Sequence, residues 1–298
     1  MLTITPKILL EWFIKDFIKI CIIGFVFGVV SVFIALSIPN QYTSKAVVAS
    51  NMTDSKSMGG ALSKLGGLAS LAGVSLGGGG TLSPEVLYEM ITSNSFLASF
   101  IREYGLEKEV MAAEGFDAST NKFLYDPKKY DIKNEVWVRD FKFPQTLEPS
   151  DIELVEKFKE SLSASYARKT KLITIAVKSY SPEFSLSVVN KLIFHFNQYM
   201  RNIDIKESEL SIHYLEQELA SSKFQEVSLA LQQIMEEQYK KLSLAKTREE
   251  YAFRIIESPL LAAKKSEPKR AIICIVITLG GTVFSILAMW TVRIFRTN

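Results

Sequence analysis

A run of about 22 uncharged, mostly apolar residues, Ala271 to Val292, constrains this chain more than any other feature. It is long enough to cross a bilayer as one helix. Basic residues bracket it, with Lys264, Lys265, Lys269 and Arg270 before it and Arg293 and Arg296 after it. Pro259 and Pro268 stand ahead of it, and Pro268 is suited to a first helical turn, where its missing N–H costs nothing. The sequence ends six residues beyond the run, so no folded domain is expected there. A second apolar run, Ile20 to Ile38, is about 19 residues long and also suffices to span. As a signal peptide it would be too long, and Leu36-Ser37-Ile38-Pro39 is a poor cleavage site, so an uncleaved anchor is expected.

Lys7, Lys15 and Lys19 precede the first run and place the N-terminus in the cytoplasm by the positive-inside rule. Two spans then return the C-terminus to the same side. The second run taken alone votes the other way, because the bases before it outnumber those after it. The first span usually dominates, and long loops translocate largely regardless of charge. The expected topology therefore has both termini cytoplasmic in a two-span inner-membrane protein.

Charge separates the spans from the rest. Residues 39–268 hold 28 basic and 30 acidic side chains, whereas the remainder holds 7 and 2. The overall +3 thus comes from the membrane flanks, which argues against nucleic acid as a partner. Cys21 and Cys274, the two cysteines, fall in the two apolar runs and are expected to be lipid-facing or helix-packing residues roughly 20 Å apart in depth. His195 and His213 lie 18 residues apart on one expected helix, about five turns, so they cannot share an ion. Neither an H-E-x-x-H nor a Walker motif occurs. A non-enzyme with no cofactor and no metal is expected.

Along the chain, Gln41 to Ala49 reads as a strand leaving the first span. Residues 51–83 are rich in Gly, Ser, Ala and Leu without phosphate-loop spacing, and a flexible segment is expected. Ser83-Pro84-Glu85 opens a helix with a period running to about Tyr104, and Gly105 ends it. Glu114 to Lys133 reads as irregular, Val136 to Phe143 as a strand stopping at Pro144, and Ser150-Asp151 as the cap of a helix to about Ser163. Leu172 to Val177 is the clearest strand. Ser181-Pro182-Glu183 starts a helix to Ser222, roughly 60 Å if unbroken. Phe224 to Ala245 follows as a second helix, making a hairpin with a narrow apolar seam that neighbouring chains would complete. Tyr251 to Glu257 is a last strand able to pair with 41–49.

The expected fold class is thus an α+β membrane protein. Two transmembrane helices flank a periplasmic α/β base domain with a long helical hairpin arm. The boundaries are 1–19 for a cytoplasmic lead, 20–38 for the first span and 39–182 for the base. The arm takes 183–250, the return strand and proline-containing segment 251–270, the second span 271–292 and a cytoplasmic tail 293–298. Gly24-x-x-x-Gly28 and Gly280-Gly281 are small-residue notches that permit close helix packing.

Several residues carry a resemblance to a known family. They are Gln41-Tyr42-x-Ser44-x-Ala46 after the first span, the helix from Pro84, and Leu172–Val177 followed by Ser181-Pro182-Glu183. To these add Ile255-Ile256-x-x-Pro259, then Pro268-Lys269-Arg270 and Gly280. In combination they resemble the polysaccharide co-polymerases, the Wzz-type chain-length determinants, and the likeness covers essentially the whole chain. One departure is Ala262-Ala263-Lys264-Lys265, where the family usually carries a further proline. The resemblance implies a homo-oligomeric ring in the inner membrane, working with a Wzy-type polymerase on lipid-linked polysaccharide such as O-antigen and contacting membrane lipids. It carries Pro259, Pro268, Lys269, Arg270, Gly280 and Gly281 as candidate functional positions, with Gly24 and Gly28 as packing partners. An inner-membrane component of capsule or exopolysaccharide export is the alternative, and a periplasmic adaptor of a secretion system stands behind it.

Overall fold

The computed structural model describes residues 16–52 and 82–297. In chain order the elements are helix α1 (Phe17–Ser37), strand β1 (Tyr42–Ser50), and helices α2 (Pro84–Ile91), α3 (Asn94–Glu103) and α4 (Glu107–Met111). Four short strands follow, β2 (Ala113–Asp117), β3 (Lys122–Tyr125), β4 (Tyr130–Asp131) and β5 (Val136–Trp137). Then come α5 (Asp151–Ser161), β6 (Leu162–Ala167), β7 (Leu172–Ser179), α6 (Pro182–Ser221), α7 (Gln225–Thr247), β8 (Phe253–Glu257) and α8 (Arg270–Thr297). The class is α+β. The chain divides into two compact units, Met1–Gln41 with Lys264–Asn298, and Tyr42–Ala263. The first unit holds two helices long and apolar enough to cross a membrane. The segment expected to be flexible, 51–83, lies outside the described residues except at its ends.

The larger unit is built on a four-stranded sheet in the order β6-β7-β1-β8, antiparallel throughout. The base is therefore α+β, with none of the parallel pairing of an α/β fold. Period-2 alternation sets its register: Ala46 and Val48 of β1 and Ile173, Ile175 and Val177 of β7 point to one buried face. Leu87 and Ile91 of α2, Phe96 and Phe100 of α3, Leu154 and Phe158 of α5, and Leu192 and Phe196 of α6 fill the core against it. Each such side chain contributes about 1.5–3 kcal/mol of burial. The final strand β8 pairs with β1, Ser50 opposite Phe253, so the two ends of the unit meet in the sheet.

The expected helix over 84–104 is two helices. Thr92 Oγ1 donates to the Tyr88 carbonyl at 2.9 Å, and Ser93 caps α3 by accepting from the Phe96 N–H. Short hydroxyl side chains offer the backbone these alternatives, which ends a helix even where the apolar period continues. Gly105 closes α3 at φ +58°. The stretch 114–133, read as irregular, holds the β2–β3 hairpin, with Phe116 against Phe123 and Asn121 at φ +54° in the turn. The strand expected over 136–143 shrinks to Val136–Trp137. Beyond it the Arg139 guanidinium donates to the Thr146 and Leu147 carbonyls and to both oxygens of Glu153, folding the chain back on itself. Glu153 also accepts the Ser150 N–H in a capping box, and the Arg139 bonds hold its carboxyl down at about 2. Strand β6 was not anticipated, because its Ser/Ala-rich sequence carries little β signal.

Candidate functional site

The two apolar helices run antiparallel, and small residues set their approach. A Cβ placed on Gly24 would lie 3.5 Å from Thr282 Oγ1, and one on Gly28 4.0 Å from Thr278 Oγ1. On Gly281 it would lie 2.5 Å from the Phe27 ring, so glycine is required there for the ring to pack. Gly280 meets nothing within 4 Å and faces away from α1. Ser31 Oγ donates to the Gly28 carbonyl at 2.7 Å and lies 3.4 Å from Thr278 Oγ1 across the seam. Thr282 Oγ1 likewise donates to the Thr278 carbonyl at 2.6 Å, so these hydroxyls are satisfied without water. The outward faces, Phe25, Phe33 and Leu36 on α1 and Val276, Leu279 and Phe284 on α8, are exposed and apolar. An outer surface of that kind is suited to lipid.

A short bridge ties the two helices where residues 38–41 leave α1 and 264–269 approach α8. Gln41 N–H donates to the Glu267 carbonyl at 2.9 Å, and its own carbonyl accepts from Ser266 N–H at 2.8 Å. Arg270 Nε donates to the Ala35 carbonyl at 3.0 Å and Nη2 to Asn40 Oδ1 at 3.1 Å. The guanidinium thus caps the C-terminal end of α1, where a cation meets the negative end of the helix dipole. The Lys269 carbonyl accepts from Ile272 and Ile273, so Lys269 stands at the cap and Pro268 just outside the helix, not in its first turn. Lys269 is exposed. Pro259 belongs to the other unit, buried just after β8, where Ser44 Oγ donates to the adjoining Leu260 carbonyl at 3.0 Å.

Of the eight candidate positions, Gly24, Gly28, Gly281 and Arg270 therefore lie on the contact between the two helices, while Gly280, Lys269, Pro268 and Pro259 lie off it. The sequence reading did not single out Phe27, Ser31, Asn40, Thr278 or Thr282. The signal was present: Gly24, Gly28, Ser31 and Ala35 continue one small-residue stripe, and Thr278, Gly281 and Ser285 answer it.

In the larger unit, α6 is 40 residues long, roughly 60 Å. Ser181 caps it through the Phe184 N–H and Pro182 takes the first turn. Val188, Val189, Leu192, Ile193, Phe196, Asn197 and Met200 are buried along its inner half, and beyond them only Asp204, Ser208, Ile212 and Leu215 are buried. Helix α7 packs antiparallel on this outer half along one seam and buries only Ala245. Leu210, Tyr214, Phe224, Leu229, Tyr239 and Leu244 stay exposed. The root of the arm is polar and closed. Asp204 accepts from Tyr251 Oη at 2.5 Å and pairs with Lys241 Nζ at 2.7 Å. Burial, and then the Asp204 carboxylate, push the Tyr251 phenol up. Asn197 Oδ1 accepts from the Ala252 and Phe253 N–H groups at 2.7 and 2.8 Å, and Nδ2 donates to the Phe253 carbonyl at 3.2 Å.

His195 sits among the rings of Phe96, Phe100 and Tyr104, and its buried Nε2 has no hydrogen-bond partner in the protein. Lys191 lies over the Tyr104 ring, and Glu103 is the nearby carboxylate. Burial holds the imidazole below its ordinary value, against a smaller upward pull from Glu103. The unfolded chain then binds the proton more readily, so this contribution to stability is present above about pH 6.5 and is lost as pH falls below it. The melting temperature is expected to drop between pH 7.5 and 5.5, and to drop less in His195→Leu. Parallel slopes in the two proteins would remove the imidazole as the cause.

Among the described residues no group of three or more His, Cys, Asp or Glu is placed to hold a metal ion. One unit is a closely packed apolar helix pair, and the other is a sheet bearing a long, half-covered arm. No family model and no curated protein matches the chain. Among solved structures it is similar to a full-length bacterial polysaccharide co-polymerase, at 11% identity over 97% of this chain and 98% of that one, with a TM-score of 0.38. It is also similar to a fragment of WzzB, a polysaccharide co-polymerase from Salmonella Typhimurium, at 11% identity over 76% of this chain and all of that one, with a TM-score of 0.32.

Proposed function

We propose that this chain regulates polysaccharide chain length in the bacterial inner membrane, without catalysis, as a homo-oligomer. The observation that carries this reading is the arm. A helix of roughly 60 Å, covered by a partner helix along a single seam, leaves Leu210, Tyr214, Phe224 and Leu229 in water. Apolar surface of that extent is suited to cover by further copies of the same chain. A shell of such arms acts by shape on a growing polymer. The combination of sequence features that resembles the Wzz-type determinants supports the same reading.

On this reading residues 42–263 are periplasmic and the chain ends are cytoplasmic. The partner is a Wzy-type polymerase extending lipid-linked O-antigen or a related polymer. Pro259, Pro268, Lys269, Arg270 and the glycines of the helix pair are the positions through which the two would communicate. The test is a lipopolysaccharide gel from the host with the gene deleted and then restored. A modal cluster of bands that collapses to an unregulated ladder on deletion and returns on complementation is the expected result. An unchanged ladder would overturn it and favour capsule export or an adaptor role.

A further inference from the structure

We propose that Lys264, Lys265, Lys269 and Arg270 form a binding site for the phosphoryl headgroup of an anionic membrane lipid. Four bases fall within seven residues at one end of the helix pair, with Glu267 the one acid among them. Lys264, Lys265 and Lys269 are exposed, and none of them enters an ion pair among the described residues. Arg270 is half-buried, its guanidinium fixed by the Ala35 carbonyl and Asn40 Oδ1. The backbone that carries the lysines is itself held, through Gln41 to Ser266 and Glu267. Lys265 Nζ donates to Asn40 Oδ1 at 3.4 Å, and a planar cation anchored beside exposed ammonium groups suits phosphoryl oxygens.

Topology alone does not explain this belt. In the sequence, the other flanks of the two apolar runs hold Lys7, Lys15, Lys19, Arg293 and Arg296 against Glu11 and Asp16, a surplus of the same size. The positive-inside rule accounts for bases at one face only. Whichever way the pair is inserted, one belt lies on the translocated side, where the rule supplies no reason for it. Among the described residues, the belt at Lys264–Arg270 has built support around it. Phe33 and Leu36 on α1 and Ile272 and Ile275 on α8 are exposed at the same end of the helices. Acyl chains would lie along them while the headgroup meets the bases, which commits the site to a lipid and not to a free anion.

This inference needs α1 and α8 to lie in a membrane and is independent of the chain-length reading. The test uses the purified full chain in detergent and native mass spectrometry. Retention of added phosphatidylglycerol is compared with that of phosphatidylcholine. Bases near a membrane surface contribute enough that a preference on the order of tenfold or more is expected. It should vanish in K264Q/K265Q/K269Q, which spares Arg270 and its contact to α1. It should persist in K264R/K265R/K269R, and in K7Q/K15Q/K19Q at the other end. Equal retention of the two lipids by the unaltered chain, or equal loss in both glutamine variants, overturns the site. Millimolar inorganic phosphate should leave the retained lipid in place, and its displacement would overturn the commitment to lipid. An altered polysaccharide ladder bears on the chain-length reading and not on this one.

Discussion

Replacing Asn197 by leucine is expected to lower the melting temperature of the larger unit by about 10 °C or more. The side chain satisfies three buried backbone groups: the N–H of Ala252 and the N–H and C=O of Phe253. Leucine keeps the volume and removes every one of those bonds. A buried polar group left unpaired costs about 1–3 kcal/mol. Three of them come to several kcal/mol, and a unit of this size loses about 2–4 °C per kcal/mol. The loss should be local first, because Asn197 holds the chain where it returns from α7 to β8. Trypsin cleavage at Lys246 and Arg248 should therefore quicken before global unfolding. Asn190, exposed on the same helix, is the control, and Asn190→Ala should shift the melt little. Similar melts for Asn197→Leu and Asn190→Ala would show that the clasp is not what holds the arm.

That pair of asparagines shows where the sequence stops being legible. Asn190 and Asn197 look alike on one helical pattern, and the partner of the second lies 55 residues away in a segment with no pattern of its own. The long helix itself was readable because Ser181-Pro182-Glu183 cap it locally and the apolar period continues to Leu219. The pairing of the first and last strands was readable because both are short β-rich runs beside the spans. The break at Thr92-Ser93 was not, since the apolar faces of α2 and α3 turn to one core and keep a common period across it. The β2–β3 hairpin was hidden by its charges, although Asp117 to Asn121 is ordinary turn chemistry between two aromatic-bearing strands. Arg139 gave no sign, because its role is to bind carbonyls 7 and 8 residues ahead. In the helix pair the glycines were visible as notches, but Ser and Thr in an apolar run read as neutral. Their part in the seam emerges only from the register.

Gly281→Val is expected to push the two apolar helices apart, while Gly280→Val leaves them in place. At Gly281 the new Cβ would fall 2.5 Å from Phe27 Cδ1 and 2.7 Å from Cγ. The clash therefore involves the root of the ring, and a simple swing of its far edge does not relieve it. At Gly280 the same atom enters open space. Overpacking of this kind costs about 1–3 kcal/mol. The distance between the helices can be read by disulfide formation in a background with Cys21 and Cys274 changed to alanine. Ser31→Cys and Thr278→Cys supply the pair, since the two hydroxyl oxygens they replace lie 3.4 Å apart. Oxidation should be near complete in that background and with Gly280→Val, and several-fold lower with Gly281→Val. Phe27→Ala empties the contested space, so adding it to Gly281→Val should restore the yield, a coupling that a general loss of folding would not produce. Equal yields for the two glycine variants would mean that Phe27 and Gly281 do not meet in the membrane.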